Sequence, residues 1–149
     1  MTIRCEIVSQ DRQVFSGDAD IVIVPGAEGE MGILPHHAPL LSTLKYGVVR
    51  VRLLEKEDIF TVAGGVVEVL LDCVTVMADA AENVAEIDIA RAEAARKRAE
   101  EQMLKGPPHD SDKYLSIEAA LRRSNLRLDA VRRFRGQRST ISSKGGEGK

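Results

Sequence analysis

The hydrophobic period changes once along this chain, near residue 84, and the change divides what the two parts can become. Ahead of it the pattern alternates. Ile3, Cys5 and Ile7 fall on one side of an extended segment, Arg4 and Glu6 on the other, which is the period of a half-buried strand. Val48–Leu54 repeats it, with Val49, Val51 and Leu53 opposite Arg50 and Arg52. Shorter runs at Val14-Phe15, Asp20–Val24, Gly32–Leu34, Ile59–Ala63, Val66–Leu71 and Val74–Ala78 lie between turn signals such as Ser9–Gln13, Pro25-Gly26 and Glu55–Asp58. Gly64-Gly65 predicts a bulge or a tight reversal. Short strands at this turn density predict an all-β sandwich or barrel over the first 84 residues.

After that point the composition turns to Ala, Glu, Arg and Lys, all good helix formers. Glu86–Leu104 predicts a helix with a small-residue stripe of Ala85, Ile89, Ala92, Ala95, Ala99 and Met103. Gly106-Pro107-Pro108 ends it. Asp110, Ser111 and Asp112 offer caps for a second helix. There Tyr114, Ile117, Leu121, Ser124, Leu128 and Val131 make a packing seam at 3-4 spacing. The short connector predicts an antiparallel hairpin, and the alanine stripe lets the second helix come close. The fold class is α+β in two parts. Residues 1–84 form an antiparallel β-sandwich, and residues 85–138 an antiparallel two-helix hairpin. The tail, 139–149, is rich in Ser, Gly and Lys and reads as disordered.

Charge follows the same division. Residues 1–84 hold 6 Lys/Arg and 13 Asp/Glu, a net of −7, and residues 85–149 hold 15 and 10, a net of +5. Two modules with different partners follow. Aromatics are 3% of the chain and Trp is absent, so base-stacking nucleic-acid modules are disfavoured. Cys5 and Cys73 sit in apolar runs and read as two buried thiols in a reducing compartment. They offer neither metal spacing nor a disulfide framework. No apolar run approaches the ~20 residues of a membrane-spanning helix, and the first residues carry neither a signal nor a transit pattern.

Catalytic candidates are few. His36 and His37 are adjacent in an extended segment, so they do not converge on one ion or proton, and no Cys or carboxylate cluster surrounds them at ligand spacing. Gly26–Gly32 lacks the Gly-Lys-Ser/Thr ending of a phosphate loop and a following helix. No nucleophile–base pair is visible. The chain reads as a non-enzyme without a required cofactor.

Four stretches, in order, carry a family resemblance: Gly29–Leu41 (GEMGILPHHAPLL), Gly64–Val69 (GGVVEV), Val74–Glu82 (VTVMADAAE) and Ile87–Ala92 (IDIARA). With the Leu/Arg pattern of the last helix they cover residues 3–135, and the chain resembles the epsilon subunits of bacterial F-type ATP synthases. The resemblance implies a non-catalytic central-stalk subunit that couples proton-driven rotation to ATP synthesis. Its partners would be the gamma subunit, the rotor ring of c subunits and the catalytic alpha/beta subunits. It would lie at the bacterial cell membrane, peripheral on the cytoplasmic side. The hairpin would be mobile, permissive when folded and inhibitory to ATP hydrolysis when extended.

The same resemblance assigns candidate residues. Glu30 and His37 would face the rotor ring, with loop-shaping hydrogen bonds as the alternative. An Ile-Asp-x-x-Arg-Ala motif that binds ATP in some members is present as Ile87, Asp88, Arg91 and Ala92. Glu82 also matches, as do Arg123 and Arg127 on the second helix. Spacing within a hairpin supports this grouping, because the start of the first helix lies beside the end of the second, and arginines with a carboxylate suit a nucleotide. The local alternative is Asp88 near a helix N-terminus with Arg91 as its ion-pair partner. The basic face of Arg122, Arg123, Arg127, Arg132, Arg133 and Arg135 reads either as solvated surface or as a contact to an acidic segment of a catalytic subunit. A free-standing ATP-sensing module is the rival reading.

Overall fold

The computed structural model describes residues 1–106 and 110–135. Pro107, Pro108 and the tail lie outside the described residues. The chain divides after Asn83 into two compact units, a β unit and a helical unit.

The β unit has eight strands among the described residues: β1 (Ile3–Val8), β2 (Gln13–Ala19), β3 (Ile21–Gly26), β4 (Gly29–Ile33), β5 (Leu40–Leu53), β6 (Lys56–Leu70), β7 (Cys73–Ala78) and β8 (Ala81–Asn83). They hydrogen-bond in the order β2-β1-β7-β6-β5-β3-β4, with β8 added to β6. The sheet is folded over rather than closed, because β5 and β6 run through both layers. One layer holds β2, β1 and β7 against the Gly65–Leu70 half of β6. The other holds β8, β3 and β4 around the Lys56–Val62 half of β6 and its partners in β5. Phe15 of β2 meets Phe60 of β6 across the fold, with ring centroids 5.3 Å apart.

Side-chain phase explains how one strand serves two layers. Phe60 and Val62 of β6 are buried at even positions, and Val67 and Val69 at odd ones. The switch falls at Gly64 and Gly65, with φ +82° and +128°. No reversal occurs there. β5 switches likewise, from Leu44 to Val49 and Val51. The core is aliphatic, with Ile3, Cys5, Ile7, Val22, Val24 and Ile33 all fully covered. Each such side chain contributes about 1.5–3 kcal/mol.

Several expectations need correction. The strands are longer than the runs suggested, because Leu40–Leu53 and Lys56–Leu70 are each continuous. Strand β4 is Gly29–Ile33 rather than Gly32–Leu34, and β8 was not legible. The sandwich is not purely antiparallel, since β1 and β7 pair in parallel. Cys5 is buried, and burial, reinforced by Cys73 and Glu6, pushes its thiol up to about 12. Cys73 is only half-buried because it lies on the other face of β7 from Val74 and Val76.

The helical unit begins with a 3-10 turn, Val84–Glu86, followed by α1 (Ile89–Leu104) and α2 (Ser111–Ala130). A single π turn, Val131–Arg135, ends the described chain. The first helix starts at Ile89 and not Glu86, because Asp88 is its N-cap. Ala92 and Ala99 are buried as the stripe requires, but Ala85 and Ile89 are exposed. Ala85 precedes the helix and Ile89 is its first residue, and Val84 and Ile87 are buried instead. Asp110 caps α2, accepting from the Asp112 amide at 3.0 Å. Every residue of the α2 seam is at least half-buried.

Candidate functional site

At one end of the β unit, two irregular segments are tied together. The His36 amide donates to Asp72 Oδ1 at 2.7 Å, and His36 Nδ1 lies 3.4 Å from Asp72 Oδ2. His36, Leu71 and Asp72 all have φ between +50° and +64°, a region that non-glycine residues enter at a cost. Around this link the surface is apolar. Leu71 is 91% exposed, Leu41 69% and Leu34 56%, and Leu70 is exposed as well. A leucine in a left-handed turn, standing in water, is costly on both counts, and such patches mark contact surfaces.

Of the residues assigned to this end, Glu30 is exposed on β4, paired in register with Pro25. His37 is exposed, its amide donates to the Leu34 carbonyl at 3.2 Å, and its Nδ1 is 2.7 Å from the Ala38 carbonyl oxygen. The side chain that ties the two segments is Asp72, which accepts the His36 amide across 36 residues of sequence, while the His37 ring meets its neighbour's carbonyl. The leucines carried no motif signal. Their sign in the sequence was only that Leu41, Leu70 and Leu71 fall where the alternation calls for polar or turn residues.

A second candidate site is the end of the helical unit where α1 begins. Asp88 caps α1, its Oδ1 accepting the Arg91 amide at 3.0 Å, so the carboxylate meets the Arg91 backbone. Ile87 and Ala92 are buried, whereas Arg91 is exposed. Arg135 donates from Nη2 to the carbonyls of Val84 at 2.6 Å and Ile87 at 2.8 Å. This fixes the helix pair as antiparallel, with the end of α2 beside the start of α1. Arg127 is half-buried and Arg123 exposed, one and two turns before Val131. Glu82 is in the β unit, on β8, where its carbonyl lies 3.4 Å from Thr61 Oγ1. Of the basic face, Arg122 is exposed, Arg132 pairs with Asp129, and Arg133 lies 5.1 Å from the Phe134 ring centroid. Arg135 is a clamp rather than free surface.

Comparison with known proteins gives these features a family. The profile of the ATP synthase Delta/Epsilon chain, beta-sandwich domain, matches residues 2–84, and that of the same chain's long alpha-helix domain matches residues 85–132. The chain belongs to the ATP synthase delta/epsilon family. A protein of Dehalococcoides mccartyi named ATP synthase epsilon chain is 44% identical over 139 residues, 89% of this chain and 94% of its own length. The ATP synthase epsilon chain of Pelotomaculum thermopropionicum is 51% identical over 104 residues, 70% of this chain and 78% of that one. Among solved structures, a chain of the Euglena gracilis mitochondrial ATP synthase (OSCP, F1 and c-ring, rotational state 1) shares the fold. Its TM-score is 0.65 at 24% identity, covering 81% of this chain and 76% of that one. A chain of the Tetrahymena thermophila mitochondrial ATP synthase central stalk and c-ring follows at TM-score 0.59 and 12% identity, covering 88% and 97%. The chain is accordingly a central-stalk subunit of a rotary ATP synthase and not a catalytic one. No described helix is long and apolar enough to cross a membrane, which suits a peripheral place in a membrane-associated complex.

Proposed function

We propose that the β unit docks on the rotor ring of c subunits through the leucine-rich end, and that the helical unit brakes ATP hydrolysis. The observation that carries the docking is the cluster of Leu34, Leu41, Leu70 and Leu71 around the His36–Asp72 link. Glu30 and His37 form its polar rim. The gamma subunit and the catalytic alpha/beta subunits are the other partners, and the complex faces the cytoplasm of a bacterium. Burying two leucines is worth about 1.5–3 kcal/mol each, so the double variant L41D/L71D should weaken association with ring-bearing membranes by more than about tenfold. Because both side chains point into water, its thermal unfolding should stay near that of the parent. Undiminished association would reject this surface as the ring contact.

A second reading is favoured by the antiparallel pairing at the start of α1. ATP is a regulatory ligand there, with Arg91, Arg123 and Arg127 on the phosphates and Asp88, Ile87 and Ala92 toward the ribose and base. The ligand holds both helices together and relieves the brake. The cap already orients the Asp88 carboxylate. Calorimetric titration of the full chain should show heat of binding that falls at least tenfold in affinity in R127A. Absence of heat at millimolar ATP removes this reading and leaves the docking untouched.

A further inference from the structure

We infer that Arg135 is the latch that keeps the helix pair closed. The pair is covalently tethered at one end only, where the chain passes from Leu104 to Ser111. The opposite end is free to open, and Arg135 sits there. Its guanidinium bridges residues 48 and 51 positions away, reaching the Ile87 and Val84 carbonyls. Those carbonyls flank the turn that leads into α1, and the Val84 oxygen also lies 3.4 Å from the Ile87 amide.

Three features mark this as a built contact. The buried positions of the two helices are all small, Ala92 and Ala99 on α1 and Ser124 and Ala130 on α2, while the larger seam residues Ile117, Leu121 and Leu128 are only partly covered. The Ser124 hydroxyl is spent on the Ala120 carbonyl at 2.9 Å. Partly covered side chains contribute less than a full core, so a contact at the open end adds appreciably to this seam. Next, a cation beside a helix N-terminus is ordinarily unfavourable. Here two carbonyl oxygens and the negative end of α2 reverse that sign, and hydrogen bonds from a charged donor are stronger than neutral ones. Lastly, α2 does not simply fray. It widens into a π turn that buries Val131 and Phe134, and Arg135 at its end reaches back to the start of α1. Single π turns of this kind are rare and recur at functional positions. The turn runs past residue 132, where the family's helical profile ends.

The latch stands on the geometry of the helical unit alone and does not rest on the brake or the nucleotide reading. Amide hydrogen exchange on the full chain tests it. In R135A, exchange should rise about tenfold through both helices, Tyr114–Ala130 and the first turns of α1, with the β1 and β7 amides unchanged. A rise confined to Val131–Arg135, or no rise, overturns the latch. R135K keeps a cation within reach of the carbonyls and should hold protection within about threefold of the parent. An R135K chain as open as R135A overturns it also, even if R135A were to lose the helical unit entirely.

Discussion

A Cβ built on Gly65 would lie 2.2 Å from the Met77 carbonyl oxygen and 2.7 Å from Ala78 Cα, and its φ of +128° is closed to L side chains. Both atoms are backbone of the neighbouring strand and cannot step aside. Gly65→Ala should therefore cost more than about 3 kcal/mol, as overpacking and backbone strain add. Gly64→Ala, with its nearest contact a side-chain oxygen of Asp79 at 3.1 Å, should cost nearer 1 kcal/mol, the ordinary penalty at positive φ. Urea unfolding of the two variants checks the order, and equal midpoints would contradict the crossing described for β6. The sequence announced this position through its Gly-Gly pair. It did not announce Asp72, whose link to His36 spans distant loops and leaves no local signature. Glu57 was likewise silent. Burial alone would raise its carboxyl, but the Arg50 hydrogen bond and the charges of Arg50 and Arg52 hold it below the ordinary range.

Elements were legible in proportion to how steadily one face stayed wet. β1 and the second half of β5 alternate cleanly because Arg4, Glu6, Arg50 and Arg52 point outward throughout. The first half of β5 carries no strand signal in the sequence. Its outward Leu41 breaks the alternation, and its inward positions shift phase before Val49. β8 is three residues long, too short for any period. On α2 the seam from Tyr114 to Val131 was readable because the whole helix keeps one face against its partner. On α1 the first turn was misplaced. The composition places Asp88 in the first turn, whereas an acidic side chain followed by Ile-Ala-Arg serves as the cap. The candidate nucleotide residues were legible as a motif, and the arginine that holds the two helix ends together was seen only as one more charge on a basic face.

The two units differ in charge, period and core. The core cluster of the β unit draws wholly on strands β1 to β7, so that unit is equipped to fold and dock without the helices. A chain ending at Leu104 should therefore still assemble into the synthase, while ATP hydrolysis by the reconstituted complex should rise several-fold as the brake is lost. Hydrolysis equal to that of the full-length complex would refute the brake and spare the stalk role. Assembly failure would show instead that the helical unit is needed for docking. The parallel pairing of β1 with β7 has a consequence for how the chain is made. Arg4 finds Cys73 as its neighbour, so one edge of β1 stays open until β7 has been made. The β1–β2 hairpin and the β6-β5-β3-β4 group are each local in sequence and can form as they emerge. Only β7 clips them into one core, and long-range pairing of this kind is slow. The nascent sandwich stays incomplete until Ala78 has cleared the exit tunnel, by which time translation has already begun on the helices.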